Sequence, residues 1–191
     1  AGLLPPLLER FTAEHPDVDL RILDALSEGV LHAVEMGEAD IGFAAGTPDT
    51  RTRLSFHALI DDEFVALGTP DGPLAEERAY AWEEMMGMSF VAMALGTSVR
   101  ELTDAACTRV GRPLEPRFEV SHLATAGALV AQGLGVTALP ALTLPMLHVD
   151  PLVRRPLENF GAVRRIGLVW RSGHTLSPAA QAFLTLVRDE S

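Results

Sequence analysis

Hydroxyl-bearing residues at the starts of predicted helices are the positions where this sequence could bind a small anion. Each follows a strand-like segment and precedes a helix-like one; they are Ser27, Thr97, Ser98, Ser121 and, beside the last, His122. The first amides of a helix have no acceptor within the helix, and the helix dipole adds partial positive charge there. A hydroxyl or imidazole beside such amides favours a carboxylate or another small anion.

The alternative is that each hydroxyl only caps its own helix, which is the commoner role of such residues. Ser98 and Glu101 have the spacing of a capping box, so the sequence predicts Ser98 as an N-cap. Thr97, one residue earlier, is then free to contact a ligand. Ser27 and Ser121 are also predicted at N-cap positions, and both interpretations stay open for them.

Residues that would support catalysis or a metal site are sparse. The six histidines include no pair at the i, i+4 spacing of a helical metal site, and neither HExxH nor GxSxG occurs. The single cysteine, Cys107, falls in a helix-like stretch and is predicted to pack in a core. The acidic pairs Asp61–Asp62 and Glu76–Glu77 are predicted to be solvated. We therefore expect no enzyme activity, no metal and no cofactor.

The stretch LVAQGLGVTALP, residues 129–140, holds two glycines of the kind found in phosphate-binding loops. A dinucleotide-binding loop requires a strand, then glycines, then a helix whose N-terminus faces the phosphates. In this stretch the helix comes first, the strand follows, and a third glycine is absent. Gly133 is therefore predicted to end a helix, and the following residues to enter a buried strand that Pro140 closes.

The elements that would position these residues alternate between strand and helix, which predicts an α/β fold. DVDLRILDA, a helix from Ser27 to Met36 ended by Gly37, and ADIGFAA form one predicted βαβ unit. EPRFEV, the helix after Ser121, and GVTALP form a second, with parallel strands expected in each. If two such units face each other, their helix starts converge on one cleft. Further predicted strands are DEFVALG, MSFVAMA and RRIGLVWR, and further helices are LLPPLLERFTAEHP, GTSVRELTDAACTRVG and SPAAQAFLTLVRD.

Composition limits the class of protein. The 191 residues, 48% of them hydrophobic, suffice for one large domain or two small lobes with a sizeable core. The net charge of −11 repels phosphate backbones, so the chain by itself is a poor candidate for nucleic-acid binding. A single cysteine excludes an internal disulfide and agrees with a cytoplasmic location. No apolar run reaches membrane-spanning length, and no signal peptide opens the sequence.

Four stretches, in order along nearly the whole chain, resemble the effector-binding domain of LysR-type transcriptional regulators. They are LLPPLLERFTAEHPDVDLRI, VEMGEADIGFA, LVAQGLGVTALP and IGLVWRSGHTLSPAAQAFL. The resemblance implies a type II periplasmic-binding-protein fold, with two Rossmann-like α/β subdomains joined by two crossover segments. It places subdomain I at residues 1–66 and 149–191 and subdomain II at residues 67–148, with a small effector between them.

The same resemblance implies which residues contact the effector. They would be Ser27, Phe43 and Ala45 in subdomain I, and Thr97, Ser98, Ser121 and His122 in subdomain II. These positions include the helix starts identified above from the residues alone. The effector is expected to be a small anionic metabolite whose binding changes the relative angle of the subdomains.

The family also implies partners. Its members bind DNA through an N-terminal winged helix-turn-helix, which these residues lack, so DNA is expected as a partner only through such a domain. The first strand of the effector domain, with its ligand-binding loop, would also precede Ala1. A homodimer or tetramer is implied, and no membrane partner. The alternative function is a solute-binding protein of a transport system with the same fold, which would carry a signal peptide or lipid anchor upstream.

Overall fold

The computed structural model of the chain describes residues 2–46, 53–147 and 151–189. The chain forms two compact units. Unit 1 comprises residues 1–61 and 165–191, and unit 2 comprises residues 62–164. None of the described helices is long and apolar enough to cross a membrane.

Secondary structure alternates between helix and strand along most of the chain. In order, the elements are α1 (Leu4–Glu14), α2 (Ser27–Met36), β1 (Ile41–Ala45), β2 (Leu54–Gly68), β3 (Tyr80–Ala81), α3 (Trp82–Met86), β4 (Val91–Met93), α4 (Ser98–Val110), β5 (Phe118–Val120), α5 (Leu123–Ala131), β6 (Thr137–Pro140), a 3-10 helix (Ala141–Met146), β7 (Val153–Glu158), β8 (Val163–Arg171) and α6 (Pro178–Asp189). Of these elements, β3, α3, the 3-10 helix and β7 were not predicted from the sequence.

The division into units differs from the one expected from the sequence. The expected second change of subdomain, at residue 149, lies outside the described residues. In the structure the chain leaves unit 2 only at Arg164, within β8. The difference arises because β7 pairs antiparallel with the end of β2 and parallel with β3, which keeps it in unit 2.

Unit 1 packs helices against a short sheet in which β8 lies between β1 and β2. β1 and β8 run antiparallel, with Phe43 opposite Leu168. Phe11 of α1 and Phe183 of α6 cover Leu168, and their rings meet edge to face at 5.2 Å. Helix α6 begins at Pro178, where Ser177 accepts a hydrogen bond from the Ala180 amide at 3.2 Å and the proline occupies the first turn. The amphipathic α1 and α6 thus close the unit 1 core.

The strand predicted over DVDLRILDA is absent from the structure. Residues 17–25 are described but belong to no strand, and Ile22 and Leu23 are more than half exposed. The alternation of apolar residues is present, but a β-strand requires a neighbouring edge to hydrogen-bond to. Within the described residues no strand pairs with this segment. The prediction was wrong because the sequence pattern carries no information about the partner edge.

Unit 2 contains the predicted parallel arrangement, with one strand interposed. β4 pairs parallel with β5, and a parallel bridge joins Phe90 to Val136 just ahead of β6. The two strands of the predicted unit, β5 and β6, therefore run in the same direction on either side of β4. A large core that includes Trp82, Phe90 and Phe160 supports this sheet. Cys107 of α4 is buried in it at 2% exposure, as predicted.

The glycine stretch that resembled a phosphate loop has the predicted structural role. Gly133 adopts the left-handed conformation, with φ +70°, and donates its amide to the Val130 carbonyl to end α5. Gly135 lies against the backbone of Ser89, where an added Cβ would come within 2.3 Å of the carbonyl oxygen. The first glycine turns the chain and the second permits close packing of the entry to β6, so neither faces a phosphate site.

Candidate functional site

The hydroxyl of Ser27 joins the start of α2 to the end of β1 in unit 1. Ser27 is the first residue of α2 rather than its cap; the N-cap is Leu26, which makes no side-chain capping bond. The Ser27 Oγ instead accepts a hydrogen bond from the Ala45 amide at 3.0 Å. The prediction that Ser27 caps α2 was therefore wrong, but the structure does bring Ser27 and Ala45 together. The hydroxyl proton of Ser27 has no acceptor among the described residues.

Phe43 has a packing role in unit 1. It lies on β1 two residues before Ala45, and its ring meets that of Phe183 edge to face at 6.3 Å. The side chain is half-buried among the apolar residues that join the sheet to α6. Phe43 therefore supports the strand that presents Ala45, while part of its surface stays accessible.

Thr97, not Ser98, is the N-cap of α4 in unit 2. The Thr97 Oγ1 accepts a hydrogen bond from the Arg100 amide at 3.2 Å and donates one to the Ala94 carbonyl at 2.8 Å. The Thr97 hydroxyl thus donates its proton and accepts one hydrogen bond within the protein, so it caps α4, and its contact with an effector stays a prediction. The capping-box pattern failed because it is displaced by one residue, which places Arg100 rather than Glu101 at the third helical position.

The group left free at the start of α4 is Ser98. Its hydroxyl makes no hydrogen bond within the described part of the chain, and the residue is half-buried. The Ser98 and Val99 amides also have no protein acceptor in that part, since the first capping bond goes to the Arg100 amide. The Ser98 hydroxyl and amide thus remain available to an anion, and the Val99 amide, on a residue that is 6% exposed, adds to the positive end of the helix dipole.

Ser121 and His122 lie beside this helix start. β5 ends at Val120, which accepts a hydrogen bond from the Ala94 amide at 2.8 Å, so the chain exits from β4 and β5 side by side. His122 is the N-cap of α5 without a side-chain capping bond, and both Ser121 and His122 are exposed. The prediction that Ser121 caps α5 was wrong by one residue. The structure nevertheless places the two predicted groups of unit 2 at one edge of the parallel sheet.

Arg100 is a buried residue at this edge that the sequence analysis did not identify. Its side chain is 11% exposed and forms ion pairs with Asp104 and Glu119, at 2.8 and 2.6 Å. It also donates to the Met93 carbonyl at 3.1 Å. Burial disfavours the cation, but the hydrogen bonds that the guanidinium donates to both carboxylates outweigh it and raise the pKa of Arg100. The i, i+4 spacing of Arg100 and Asp104 in the sequence could have indicated their ion pair. The contact of Arg100 with Glu119 on β5 has no such signal in the sequence.

Of the acidic pair Asp61–Asp62, only Asp61 is solvated. The prediction that both carboxylates are solvated was therefore wrong for Asp62. The Asp62 side chain is fully buried; its Oδ1 accepts a hydrogen bond from the Leu142 amide at 2.9 Å, and its Oδ2 lies 3.7 Å from Arg164. Burial raises the pKa of Asp62 despite these contacts. Asp61 is solvated and forms a bidentate pair with Arg165, which lowers its pKa.

Within the described ranges no group of three or more histidine, cysteine or acidic side chains could hold a metal.

Comparison with known proteins assigns the chain to a family. The model for the LysR substrate binding domain matches residues 1–191. The uncharacterized HTH-type transcriptional regulator YfeR of Shigella flexneri is 30% identical over 190 residues, 100% of this chain and 61% of the relative. The effector binding domain of QuiR in complex with shikimate has a TM-score of 0.87 and 18% identity, covering 100% of this chain and 90% of that one. The Synechocystis PCC6803 CcmR regulatory domain in complex with 2-PG has a TM-score of 0.87 and 21% identity, covering 98% and 90%.

These similarities define a regulatory domain with the type II periplasmic-binding-protein-like fold. The chain belongs to the LysR substrate-binding-domain family and is an effector-binding domain of the LysR type. The matched relatives are transcription regulators, which favours this function over that of a transport solute-binding protein. The chain spans about three fifths of the length of the YfeR relative, at 61%.

Proposed function

We propose that this domain senses a small anionic metabolite through the free donors at the start of α4. The observation that carries the proposal is the Ser98 hydroxyl together with the Ser98 and Val99 amides, none of which has an acceptor in the described residues. A helix start with unpaired donors stabilises negative charge. Related domains of this fold are known in complexes with shikimate and with 2-PG, which are small molecules.

The other predicted residues have distinct roles in this proposal. In unit 2, Ser121 and His122 supply exposed donors at the same sheet edge, and Thr97 holds the helix start in place. In unit 1, Ser27 donates its hydroxyl proton to the effector while its oxygen fixes the Ala45 amide, and Phe43 supplies apolar contact surface. Each unit thus offers its own group of effector contacts, with hydroxyl donors in both.

The regulatory output is also a proposal. An attached winged helix-turn-helix binds DNA in the cytoplasm, and the domain assembles as a homodimer or tetramer and catalyses no reaction. The support is the family, whose matched relatives are named as HTH-type transcriptional regulators. An effector shifts the conformational equilibrium of the domain only by its difference in affinity for the two states.

Thermal-shift screening of a metabolite panel tests the function, because a ligand of the folded state raises the apparent stability. Calorimetry of the best ligand then tests the site with Ser98→Ala and Ser121→Ala. Each is expected to weaken binding by about fivefold, the value of one lost hydrogen bond. The matched control is Thr108→Ala, which removes an exposed hydroxyl near the other end of α4 and should leave affinity unchanged. Unchanged affinity in both site variants would reject the assignment of these residues.

A further inference from the structure

We propose that Arg100 is a positioning residue for the effector contacts of unit 2. It fixes the exits from β4 and β5 relative to α4 and neutralises the carboxylates beside them. The inference rests on the proposed function, because it concerns the donors assigned above to the effector. It makes the affinity for an anion depend on a residue that does not itself contact the anion.

The contacts of Arg100 connect three elements. The guanidinium donates to the carbonyl of Met93, the last residue of β4, and to the carboxylate of Glu119 in β5. Its Nε donates to Asp104 on α4, one turn further along the helix. Meanwhile the Arg100 amide is the group that Thr97 caps. One residue therefore holds both strand exits and the helix start through its side chain and its backbone.

The placement of Arg100 makes these contacts specific to the candidate site. Met93 lies four residues before Thr97, and Glu119 lies two residues before Ser121. The fork of an arginine fixes the directions of its hydrogen bonds, and a side chain that is 11% exposed has little freedom to rearrange. Loss of the guanidinium would leave the Met93 carbonyl and the Glu119 carboxylate without this donor. The two loops that carry the effector donors would then lose their common support.

The charge of Arg100 also favours an anion at the start of α4. Arg100 contributes one positive charge and Asp104 and Glu119 two negative ones, which gives the cluster a net charge of −1. Replacement by glutamine makes the same cluster −2. The added negative field acts on the helix start where the anion is proposed to bind, and at short range it is not fully screened. Arg100 therefore lowers the electrostatic cost of binding an anion there.

Arg78 provides a control because it has a similar set of partners, although its side chain is 43% exposed and that of Arg100 is 11% exposed. It also lies in unit 2, pairs with the carboxylates of Glu76 and Glu84, and donates to the carbonyl of Ala79. These partners belong to the segment around β3 and α3 rather than to the exits from β4 and β5. A general effect of removing a bridging arginine from unit 2 should therefore occur in both Arg78→Gln and Arg100→Gln.

The experiment compares the two glutamine variants with Arg100→Lys and Glu119→Gln in the purified domain. Hydrogen exchange resolved by NMR measures the protection of the amides at 94–101 and 121–126. Titration with inorganic sulfate, followed by the shifts of the Ser98 and Val99 amides, measures anion affinity. Glu119→Gln breaks one contact at a side chain that is 43% exposed, so it keeps the test informative if Arg100→Gln does not fold.

Arg100→Gln is expected to accelerate exchange in both loops and to weaken sulfate binding about fivefold to tenfold, with a smaller loss at high salt. Arg100→Lys should recover much of the sulfate affinity, because it restores the charge, but less of the protection, because one ammonium cannot reproduce the fork. Glu119→Gln should accelerate exchange at residues 121–126, the end of the β5 exit and the first turn of α5, while removing a negative charge. Arg78→Gln should change neither measurement at the site.

Equal behaviour of Arg100→Gln and Arg78→Gln in both measurements would overturn the proposal. If sulfate fails to shift the Ser98 and Val99 amides of the unaltered domain, the proposed anion site is wrong. The exchange comparison then still decides whether Arg100 fixes the two loops. The failure of the proposed function and the failure of this inference therefore give different results.

Discussion

Thr97 caps α4 in the structure, whereas the capping-box pattern in the sequence predicts Ser98 as the cap. The stability of alanine variants at the two positions distinguishes these alternatives. Thr97→Ala removes the acceptor of the Arg100 amide and the donor to the Ala94 carbonyl. Ser98→Ala removes a hydroxyl with no partner among the described residues. We therefore expect Thr97→Ala to reduce stability and Ser98→Ala to leave it nearly unchanged, whereas the capping-box pattern predicts the opposite order.

The expected magnitude follows from the two hydrogen bonds. Loss of an N-cap side chain costs about 0.5–2 kcal/mol, and at Thr97 the second bond favours the upper half of that range, about 1–2 kcal/mol. Serine is slightly poorer than alanine inside a helix, so Ser98→Ala should fall within about 0.5 kcal/mol of zero. The free energy of unfolding of a small domain falls by about 2 kcal/mol per molar urea. The urea concentration at the unfolding midpoint of Thr97→Ala should therefore be lower by about 0.5–1 M.

Urea unfolding followed by tryptophan fluorescence measures the difference. The two tryptophans are Trp82, in the unit 2 core, and Trp170, in unit 1. Variants made in a Trp170→Phe background report unit 2 alone through Trp82. Thr97→Ser keeps the hydroxyl and is the matched control, with a midpoint expected close to that of the background protein.

Two results would refute this reasoning. The first is a loss in Ser98→Ala equal to or larger than the loss in Thr97→Ala, which would restore Ser98 as the cap. The second is a loss in Thr97→Ser as large as in Thr97→Ala, which would assign the effect to the threonine methyl group. The same two alanine variants should rank in the reverse order for effector affinity once stability is accounted for, because the free donors belong to Ser98.

Three further predictions concern packing and burial. Gly135→Ala should destabilise unit 2 by about 3 kcal/mol in urea unfolding, since its Cβ would meet the Ser89 backbone at 2.3 Å; Gly87→Ala, with a nearest contact of 3.3 Å, is the milder control, and equal losses would contradict the packing argument. The raised pKa of Asp62 means that the folded state binds its proton more tightly than the unfolded state, so this carboxyl stabilises the fold most at low pH and that contribution is lost as pH rises through its folded pKa. Urea unfolding from about pH 3 to about pH 7 should show the unaltered domain losing stability relative to Asp62→Asn, and parallel curves would refute it. The thiol of Cys107, buried with a raised pKa, should react with maleimide only as fast as unit 2 opens, and rapid labelling of the folded domain would contradict its burial.

Features that depend on local sequence could be predicted. Helices α1, α2, α4, α5 and α6, the glycine that ends α5 and the proline-led start of α6 follow from apolar spacing and from residues within a few positions of each helix end. The direction of β5 and β6 could also be inferred, because a helical connection between two strands implies a parallel crossover. The class of fold and the group of helix starts in unit 2 therefore lie within reach of the sequence.

Features that depend on distant partners could not be predicted. The hydroxyl of Thr97 becomes a cap because the chain turns back at Ala94, and one residue of displacement reverses the roles of Thr97 and Ser98. The buried carboxylate of Asp62 accepts a hydrogen bond from the Leu142 amide, which is 80 positions away in the sequence. DVDLRILDA alternates like a strand, yet pairing requires an edge that its own residues do not specify. In each case the missing information is the identity of a neighbour in space.

The order of the units along the chain also determines how the domain can be synthesised. Unit 2 is a continuous run of residues 62–164, whereas unit 1 joins residues 1–61 to residues 165–191. The unit 1 core includes Phe183, Leu184 and Val187, so it cannot close until the end of α6 has left the ribosome. During translation unit 2 can therefore fold first, while the apolar face of α1 stays exposed because α6 has not yet been synthesised. The apolar residues Leu7 and Phe11 of α1 therefore stay exposed in the nascent domain until α6 has been synthesised.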